Sequence, residues 1–209
     1  MGDAMGGATN EATGDAIGDA TKGERMAGKQ QKTQVWVTPE RGPLLVIPRP
    51  ALMAWGGVEQ PRNGRVIDAR SRWRDPDAPA TDYDRACDMQ GPLAVIDVNG
   101  RDALVLGGQP LTTTWLPKSD GGVLVRGVGG DNRPPPLPSS QTLAGIQWQP
   151  MDVRVTSRES SWVLLDAACP GWEIDYSCAL SLHPGTYTAW NGAHTSARYP
   201  LQLIRLIRA

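Results

Sequence analysis

The sequence predicts a mostly β domain of the α+β class, in which an antiparallel meander or sandwich-like sheet carries one or two short helices. Short apolar and β-branched runs recur at the spacing of about 8 to 12 residues that is typical of all-β folds. Glycine- and proline-bearing turns separate these runs. Asn99-Gly100 stands between two of them and is a strong hairpin signal, because a type I′ turn needs positive φ at both central residues.

The N-terminal residues differ in composition from the rest of the chain. Residues 1–33 are rich in Gly and Ala, and their larger apolar residues are only Met1, Met5, Ile17 and Met26. Such a segment cannot bury enough surface to offset a backbone entropy cost of about 1–2 kcal/mol per residue. We therefore expect a disordered tail over 1–33 and a single folded domain over 34–209.

The first elements of the domain are two short strands and a short helix. The strands are predicted at Gln34–Val37 and Leu44–Ile47. Pro48 ends the second strand, because proline cannot donate to the ladder of a sheet. Pro50 has the fixed φ that suits the first turn of a helix, and Gly56-Gly57 ends that helix after one or two turns.

Residues 58–80 predict a long surface loop, because they are polar and contain several prolines. The loop concentrates the arginines Arg62, Arg65, Arg70, Arg72 and Arg74. Two interpretations remain open, a solvated loop and a patch that contacts a partner.

Four strands of one antiparallel meander are predicted between Leu93 and Arg126. They are Leu93–Val98, Ala103–Leu106, Thr112–Leu116 and Val123–Arg126. Each is followed by a turn or loop that carries glycine, so sequential antiparallel pairing is the simplest arrangement.

The C-terminal part predicts one short helix and five further strands. Ser139 or Ser140 caps the helix, which runs to about Ile146. The strands are Met151–Thr156, Trp162–Leu165, Cys178–Leu182, Thr186–Trp190 and Tyr199–Ile207.

The balance of charge argues against a polyanionic partner. The chain has 21 basic and 22 acidic residues, and its formal net charge is −1 at pH 7. Nucleic-acid-binding domains normally carry a basic excess. We therefore expect no nucleic-acid partner.

Three further absences bear on the compartment. The N-terminus lacks the basic and apolar regions of a signal peptide, and no apolar run is long enough to span a bilayer. Cys87, Cys169 and Cys178 are odd in number and have no zinc-ligand spacing. These features favour a cytoplasmic protein with reduced cysteines and no membrane contact.

An acidic-aromatic group, Asp82-Tyr83-Asp84-Arg85, comes just before Cys87 and is the most specific local pattern in the chain. One interpretation is structural: Asp82 or Asp84 caps a short turn and Arg85 pairs with one of them. Another is contact with a partner. A metal site is disfavoured, because no third ligand or phosphate loop accompanies the two carboxylates. We predict no metal and no cofactor.

A catalytic interpretation has little support from the sequence. Cys87 with His183 or His194 would form a thiol nucleophile and its base, but no local signature places them together. No catalytic residue is predicted. The alternative to a non-enzyme is an enzyme of unknown chemistry that uses Cys87 or the Asp82/Asp84 pair.

Several segments, taken in chain order, resemble one protein family. They are WVTPERGPLLVIPRPALMAWGG, DYDRAC, ALVLGGQPLTTTWLP, VLVRGVGGD, WVLLDAACPGWE and HPGTYTA. Together they look like the Immunity protein 21 family of bacterial polymorphic toxin systems, from about Trp36 to Leu206. The pair DYDRAC and ALVLGGQPLTTTWLP is the most distinctive part of the resemblance.

The resemblance implies an antitoxin, a cytoplasmic protein that binds a cognate toxin domain and silences it by stoichiometric occlusion. We expect an acidic face that includes Asp82 and Asp84, with Tyr83 and Arg85 beside them, to contact the toxin. Opposed potentials would speed the encounter of the two proteins. The alternatives are the enzyme already described and a β-rich structural or interaction module.

Overall fold

The computed structural model describes residues 34–40, 42–59, 80–127, 134–195 and 199–209. Within these residues the chain forms two antiparallel sheets of five strands each and three short helices. The predicted mostly β fold class is therefore confirmed, although the prediction allowed one helix fewer. The predicted tail at 1–33 and most of the arginine-rich loop at 58–80 lie outside the described residues.

The strands and helices are as follows. The strands are β1 (Leu44–Pro48), β2 (Ala94–Val98), β3 (Arg101–Leu106), β4 (Thr112–Lys118), β5 (Gly121–Gly127), β6 (Gln149–Ser157), β7 (Ser161–Asp166), β8 (Cys178–Ser181), β9 (Gly185–His194) and β10 (Leu201–Arg208). The helices are the 3-10 helix α1 (Arg49–Ala54) and the α-helices α2 (Asp82–Cys87) and α3 (Ser140–Ala144). Sheet I has the strand order β2-β3-β1-β7-β8, and sheet II has the order β4-β5-β10-β9-β6.

The two sheets pack face to face across a shared apolar core. Strand β1 in sheet I is buried along its whole length, and successive side chains alternate between its two faces. Leu44 and Val46 enter the core between the sheets, where they join Leu124 of sheet II, whereas Leu45 and Ile47 face the other way. Burial of each such side chain contributes about 1.5–3 kcal/mol.

Each sheet is also covered on its outer face. Helices α1 and α2 cover sheet I, and Trp55 at the end of α1 is the largest side chain in that layer. Trp36, together with Ile146 and Trp148 after α3, packs against the outer face of sheet II. Strands β1, β3, β5 and β7 are therefore buried on both faces, which explains why their sequences alternate so weakly, whereas β6 and β8 each keep an exposed face.

Trp55 connects the helical layer over sheet I with the turn that follows β7. Its side chain is fully buried, and its indole Nε1 donates a hydrogen bond to the carbonyl of Ala167 at 3.0 Å. Its own carbonyl accepts from the amide of Gly171 at 2.8 Å. The backbones approach closely here, because a Cβ at Gly57, where φ is 57°, would collide with the carbonyl of Ala168.

Arg126 connects the two sheets at one end of the sandwich. It lies in β5 of sheet II, and 1% of its surface is exposed. Its guanidinium donates to the carbonyl oxygens of Leu106, Gly107 and Gln109 at 3.1–3.4 Å and to the side chain of Gln202 at 2.9 Å. No carboxylate of the described residues pairs with it. Burial lowers the pKa of Arg126 to about 10.

The predicted four-stranded meander is wrong, because the chain changes sheets between its second and third strands. The hairpin of β2 and β3 belongs to sheet I, and the hairpin of β4 and β5 belongs to sheet II. β3 carries Leu104 and Leu106 on one face and Ala103 and Val105 on the other, all buried, and β1 occupies its second edge. Because both edges of β3 are paired, β4 cannot pair with it and joins β5 in the other sheet.

Two local predictions are confirmed and one is corrected. Asn99 and Gly100 have φ values of 54° and 73°, as a type I′ turn requires. Ser139 caps α3 by accepting a hydrogen bond from the amide of Thr142. The predicted first strand at Gln34–Val37 does not pair with β1; only Val37 forms a bridge, and its partner is in β4. Its extended neighbours instead lie along the edge of sheet II.

Candidate functional site

Thr81 and Asp84 form a capping box at the start of α2. The hydroxyl of Thr81 accepts from the amide of Asp84 at 3.1 Å, and the carboxylate of Asp84 accepts from the amide of Thr81 at 2.8 Å. These two bonds satisfy backbone donors that a helix start leaves without partners. The structural interpretation of this acidic pair is therefore confirmed for Asp84.

Asp82 is buried and holds three elements together. Its carboxylate accepts from the amide of Gly56 at 2.9 Å and pairs with Arg85 at 2.8 Å, and 7% of its surface is exposed. Arg85 in turn donates to the carbonyl of Asp97 in β2 at 2.9 Å. The predicted ion pair of Arg85 with a neighbouring acid is confirmed, and it links α2 to the end of α1 and to sheet I.

Tyr83 and Cys87 interact with each other along α2, where Tyr83 is partly buried against the layer over sheet I and Cys87 is exposed. Burial raises the pKa of the Tyr83 hydroxyl, and the hydrogen bond to Cys87 raises it further. Burial also raises the pKa of the Cys87 thiol, although Cys87 reaches the surface. The charge of Asp166 at the end of β7 adds to both shifts. A thiol with a raised pKa is mostly protonated at neutral pH and is a poor nucleophile.

The structure does not bring Cys87 and a histidine together. His183 follows β8 and His194 ends β9 in sheet II, whereas Cys87 ends α2 on the outer face of sheet I. No hydrogen bond among the described side chains joins Cys87 to either histidine. In the same residues, no group of three His, Cys, Asp or Glu side chains is placed to hold a metal ion.

Replacing Asp84 by alanine is expected to destabilise the protein by about 1 kcal/mol, because the capping box loses the bonds that the Asp84 carboxylate accepts from the amide and the hydroxyl of Thr81. Urea unfolding at pH 7 measures the change. Asp88→Ala is the matched control, since Asp88 is an exposed acid at the other end of the same helix. Equal unfolding midpoints for the two variants would contradict the capping role.

A cleft of about 700 Å³ is lined in part by Asp166, the residue whose charge also acts on Tyr83 and Cys87 of α2. One wall is the extended segment 35–40, and the other comes from the loop 169–177; Leu165 and Asp166 lie between them. We call it the 35–40/169–177 cleft. Its volume is within the range of about 300–1,000 Å³ that is typical of ligand-binding clefts.

Asp166 fixes the spacing of the two walls. Its carboxylate accepts from the amide of Glu40 at 2.7 Å and from the amide of Ala168 at 2.9 Å, and its carbonyl accepts from the amide of Cys169 at 3.0 Å. Asp166 is itself buried. The bonds from Glu40 and Ala168 use a carboxylate rather than a neutral acceptor, so each of these two is expected to be stronger than an ordinary hydrogen bond.

The cleft is negatively charged. Glu40, Glu173 and Asp175 are exposed carboxylates in its lining, and none of them forms an ion pair with another described residue. No Lys, Arg or His is found in the lining within the described ranges. Field lines concentrate in a cleft of one charge, so the potential there is more negative than on a flat surface.

Large apolar side chains are exposed in and beside the cleft. The surface of Tyr176 is 91% exposed and that of Val35 is 48% exposed, and both residues line the cleft. Trp172, in the same loop as Tyr176, is 41% exposed. Tyrosine and tryptophan are enriched among the residues that contribute most to protein–protein binding.

Sequence reasoning did not find this cleft. Its two walls are more than 120 residues apart along the chain, and only the fold brings them together. One local signal was present, since the stretch WEIDY at 172–176 alternates apolar and acidic residues between the predicted strands Trp162–Leu165 and Cys178–Leu182.

The sandwich, its charged cleft and the exposed rings beside the cleft define a class: a β domain with a surface suited to binding another protein. The family model described as Immunity protein 21 matches residues 35–198. The chain belongs to the Immunity protein 21 family, as its sequence motifs predicted. Searches of curated proteins and of solved structures return no match.

No helix in the described ranges is long and apolar enough to cross a membrane.

Proposed function

We propose that this protein is an immunity protein of a bacterial polymorphic toxin system, which binds a cognate toxin domain in the cytoplasm and silences it by stoichiometric occlusion. Membership of the Immunity protein 21 family carries the proposal. Occlusion needs an accessible contact surface and no reactive group. The exposed carboxylates and rings of the 35–40/169–177 cleft meet that need.

The enzyme alternative is less well supported than occlusion. Cys87 has a raised pKa, and Asp82 is already engaged by Gly56 and Arg85. Asp84 accepts from Thr81. The two carboxylates that the alternative needs are thus engaged in holding α2 in place, and the raised pKa keeps the Cys87 thiol protonated.

The segment from Asp82 to Arg85 contributes to binding mainly through the fold. Its hydrogen bonds hold α2 against sheet I, close to the charge of Asp166 at the edge of the cleft. Asp84 and Asp88 add negative charge to the same side of the molecule, because both act on the pKa of Cys87 together with Asp166. The acidic face expected from the sequence then extends from α2 to the cleft.

Co-expression tests the proposed function. The full chain is expressed with each C-terminal toxin domain that is encoded at the same locus, and survival of the host cells is scored. We expect one domain to be lethal alone and harmless with the chain, and to co-purify with it. Survival with none of the domains, and no co-purification, would overturn the proposal. A chain that lacks residues 1–33 should protect equally, since the folded domain is expected to begin at residue 34.

A further inference from the structure

The segment 35–38 offers a free backbone edge. The amide and carbonyl of Val37 both bond to Thr113 in β4, each at 2.8 Å, and the carbonyl of Val35 accepts from the hydroxyl of Thr114. In an extended chain the backbone groups of successive residues point to opposite sides. Trp36 and Thr38 therefore direct their amides and carbonyls away from β4, and no other described residue bonds to these groups.

This free edge lies in the wall of the 35–40/169–177 cleft, because residues 35–38 are part of its lining. The opposite wall carries Glu173, Asp175 and the exposed ring of Tyr176. A segment in the cleft would thus find backbone hydrogen-bonding groups on one side, and carboxylates with an aromatic ring on the other.

We infer that the cleft receives an extended, basic segment of the toxin, which adds as a strand to the free edge at Trp36 and Thr38. This inference rests on the proposed function. Strand addition uses main-chain hydrogen bonds for affinity and side-chain contacts for specificity. Lys or Arg side chains of the added segment face Glu173 and Asp175, and one of them stacks on the ring of Tyr176.

The negative charge of the cleft favours a basic protein segment over a nucleic acid or a second copy of the chain. Nucleic acids carry a dense negative charge and are repelled by the carboxylates of the cleft. A second copy of the chain would bring the same carboxylates to the same place, and like charges that face each other are unfavourable. A basic protein segment removes the repulsion among Glu40, Glu173 and Asp175 instead.

Three variants test the inference with the toxin domain that co-expression identifies. Glu173→Lys reverses one charge of the cleft, and Tyr176→Ala removes its exposed ring. Asp152→Lys is the matched control, because Asp152 is an exposed carboxylate in β6 outside the cleft lining. We expect Kd for the toxin domain to rise at least about tenfold in the first two variants and to change less than about threefold in the control. The effect of Glu173→Lys should shrink as salt is added.

Hydrogen exchange tests the backbone contact separately. The amides of Trp36 and Thr38 are expected to exchange rapidly in the free chain and to be protected at least about tenfold in the complex. The amide of Val37 already bonds to Thr113 and serves as the internal reference. Unchanged exchange at Trp36 and Thr38 in a saturated complex would overturn strand addition.

The outcomes distinguish this inference from the proposed function. Protection of cells and equal Kd values for all variants would overturn the cleft as the docking surface and leave the immunity function standing. Binding that Glu173→Lys weakens, without protection of cells, would support the cleft and overturn neutralisation. No binding and no protection would overturn both. The oligomeric state in solution, measured by light scattering, gives a further outcome. If the chain were a dimer and its Tyr176→Ala variant a monomer, a second copy would occupy the cleft, and the inference would be contradicted.

Discussion

Replacing Arg126 by methionine is expected to destabilise the domain by at least about 3 kcal/mol, because one buried and two partly buried carbonyls lose a charged donor at once. The guanidinium of Arg126 satisfies the carbonyls of Leu106, Gly107 and Gln109, where the chain passes from sheet I to sheet II. Methionine has a similar length and no donor. A carbonyl left without a donor costs about 1–3 kcal/mol when it is buried, and less where a water molecule can replace the lost donor.

Urea unfolding measures the effect of Arg126→Met, and Arg205→Met is the matched control. Arg205 lies in β10, beside β5, and pairs with Asp120 at 2.8 Å in a partly exposed position. A surface pair of this kind contributes about 0–1 kcal/mol. If the two variants lost the same stability, Arg126 would not be the connection between the sheets. Arg126→Lys should fall between them, because lysine keeps the charge but lacks the planar arrangement of donors.

Replacing Trp55 by alanine is expected to destabilise the domain by about 3–5 kcal/mol, the range typical of a buried tryptophan. The substitution leaves a cavity between α1 and sheet I, and it also removes the donor to the carbonyl of Ala167. The turn after β7 packs against that layer. Loosening of the turn should therefore also increase the mobility of the loop that forms one wall of the cleft.

Thermal and urea unfolding of Trp55→Ala, compared with Trp172→Ala, measure this effect. Trp172 is partly exposed in the 169–177 loop, so its removal should change stability by less than about 1 kcal/mol. A loss of stability in Trp172→Ala as large as that in Trp55→Ala would contradict the assignment of Trp55 to the core. Far-ultraviolet circular dichroism of both variants in buffer controls for failure to fold.

Local rules predicted the elements of this fold better than their pairing. Asn99-Gly100 specified a hairpin because only a few residue types accept positive φ, and Ser139 specified a helix start because its hydroxyl satisfies a backbone amide. Pairing depends on contacts between distant residues. The passage from β3 to β4 could be a turn or a change of sheet, and the pairing of β1 with the second edge of β3 decides between them.

The candidate site shows the same division between local and distant information. The capping box of Thr81 and Asp84 is a local pattern, and the structural interpretation of the acids anticipated part of it, since it assigned a capping role to Asp82 or Asp84 without including Thr81. The cleft is not local, since Val37 reaches β4 and Glu40 reaches the end of β7 only in the folded chain. Buried Arg126 is a further case, because an arginine in a strand normally predicts an exposed edge.

The stoichiometry of toxin inactivation tests the central claim most directly. The purified full chain is titrated into the toxin domain that it protects against, and residual toxin activity is measured together with the heat of binding. Occlusion predicts a complex of one chain with one toxin domain, and activity that falls linearly to zero at equal concentrations. Complete inactivation by a small fraction of an equivalent of the chain would indicate catalysis and would contradict the account. Toxin that stays active beside an excess of bound chain would contradict it as well.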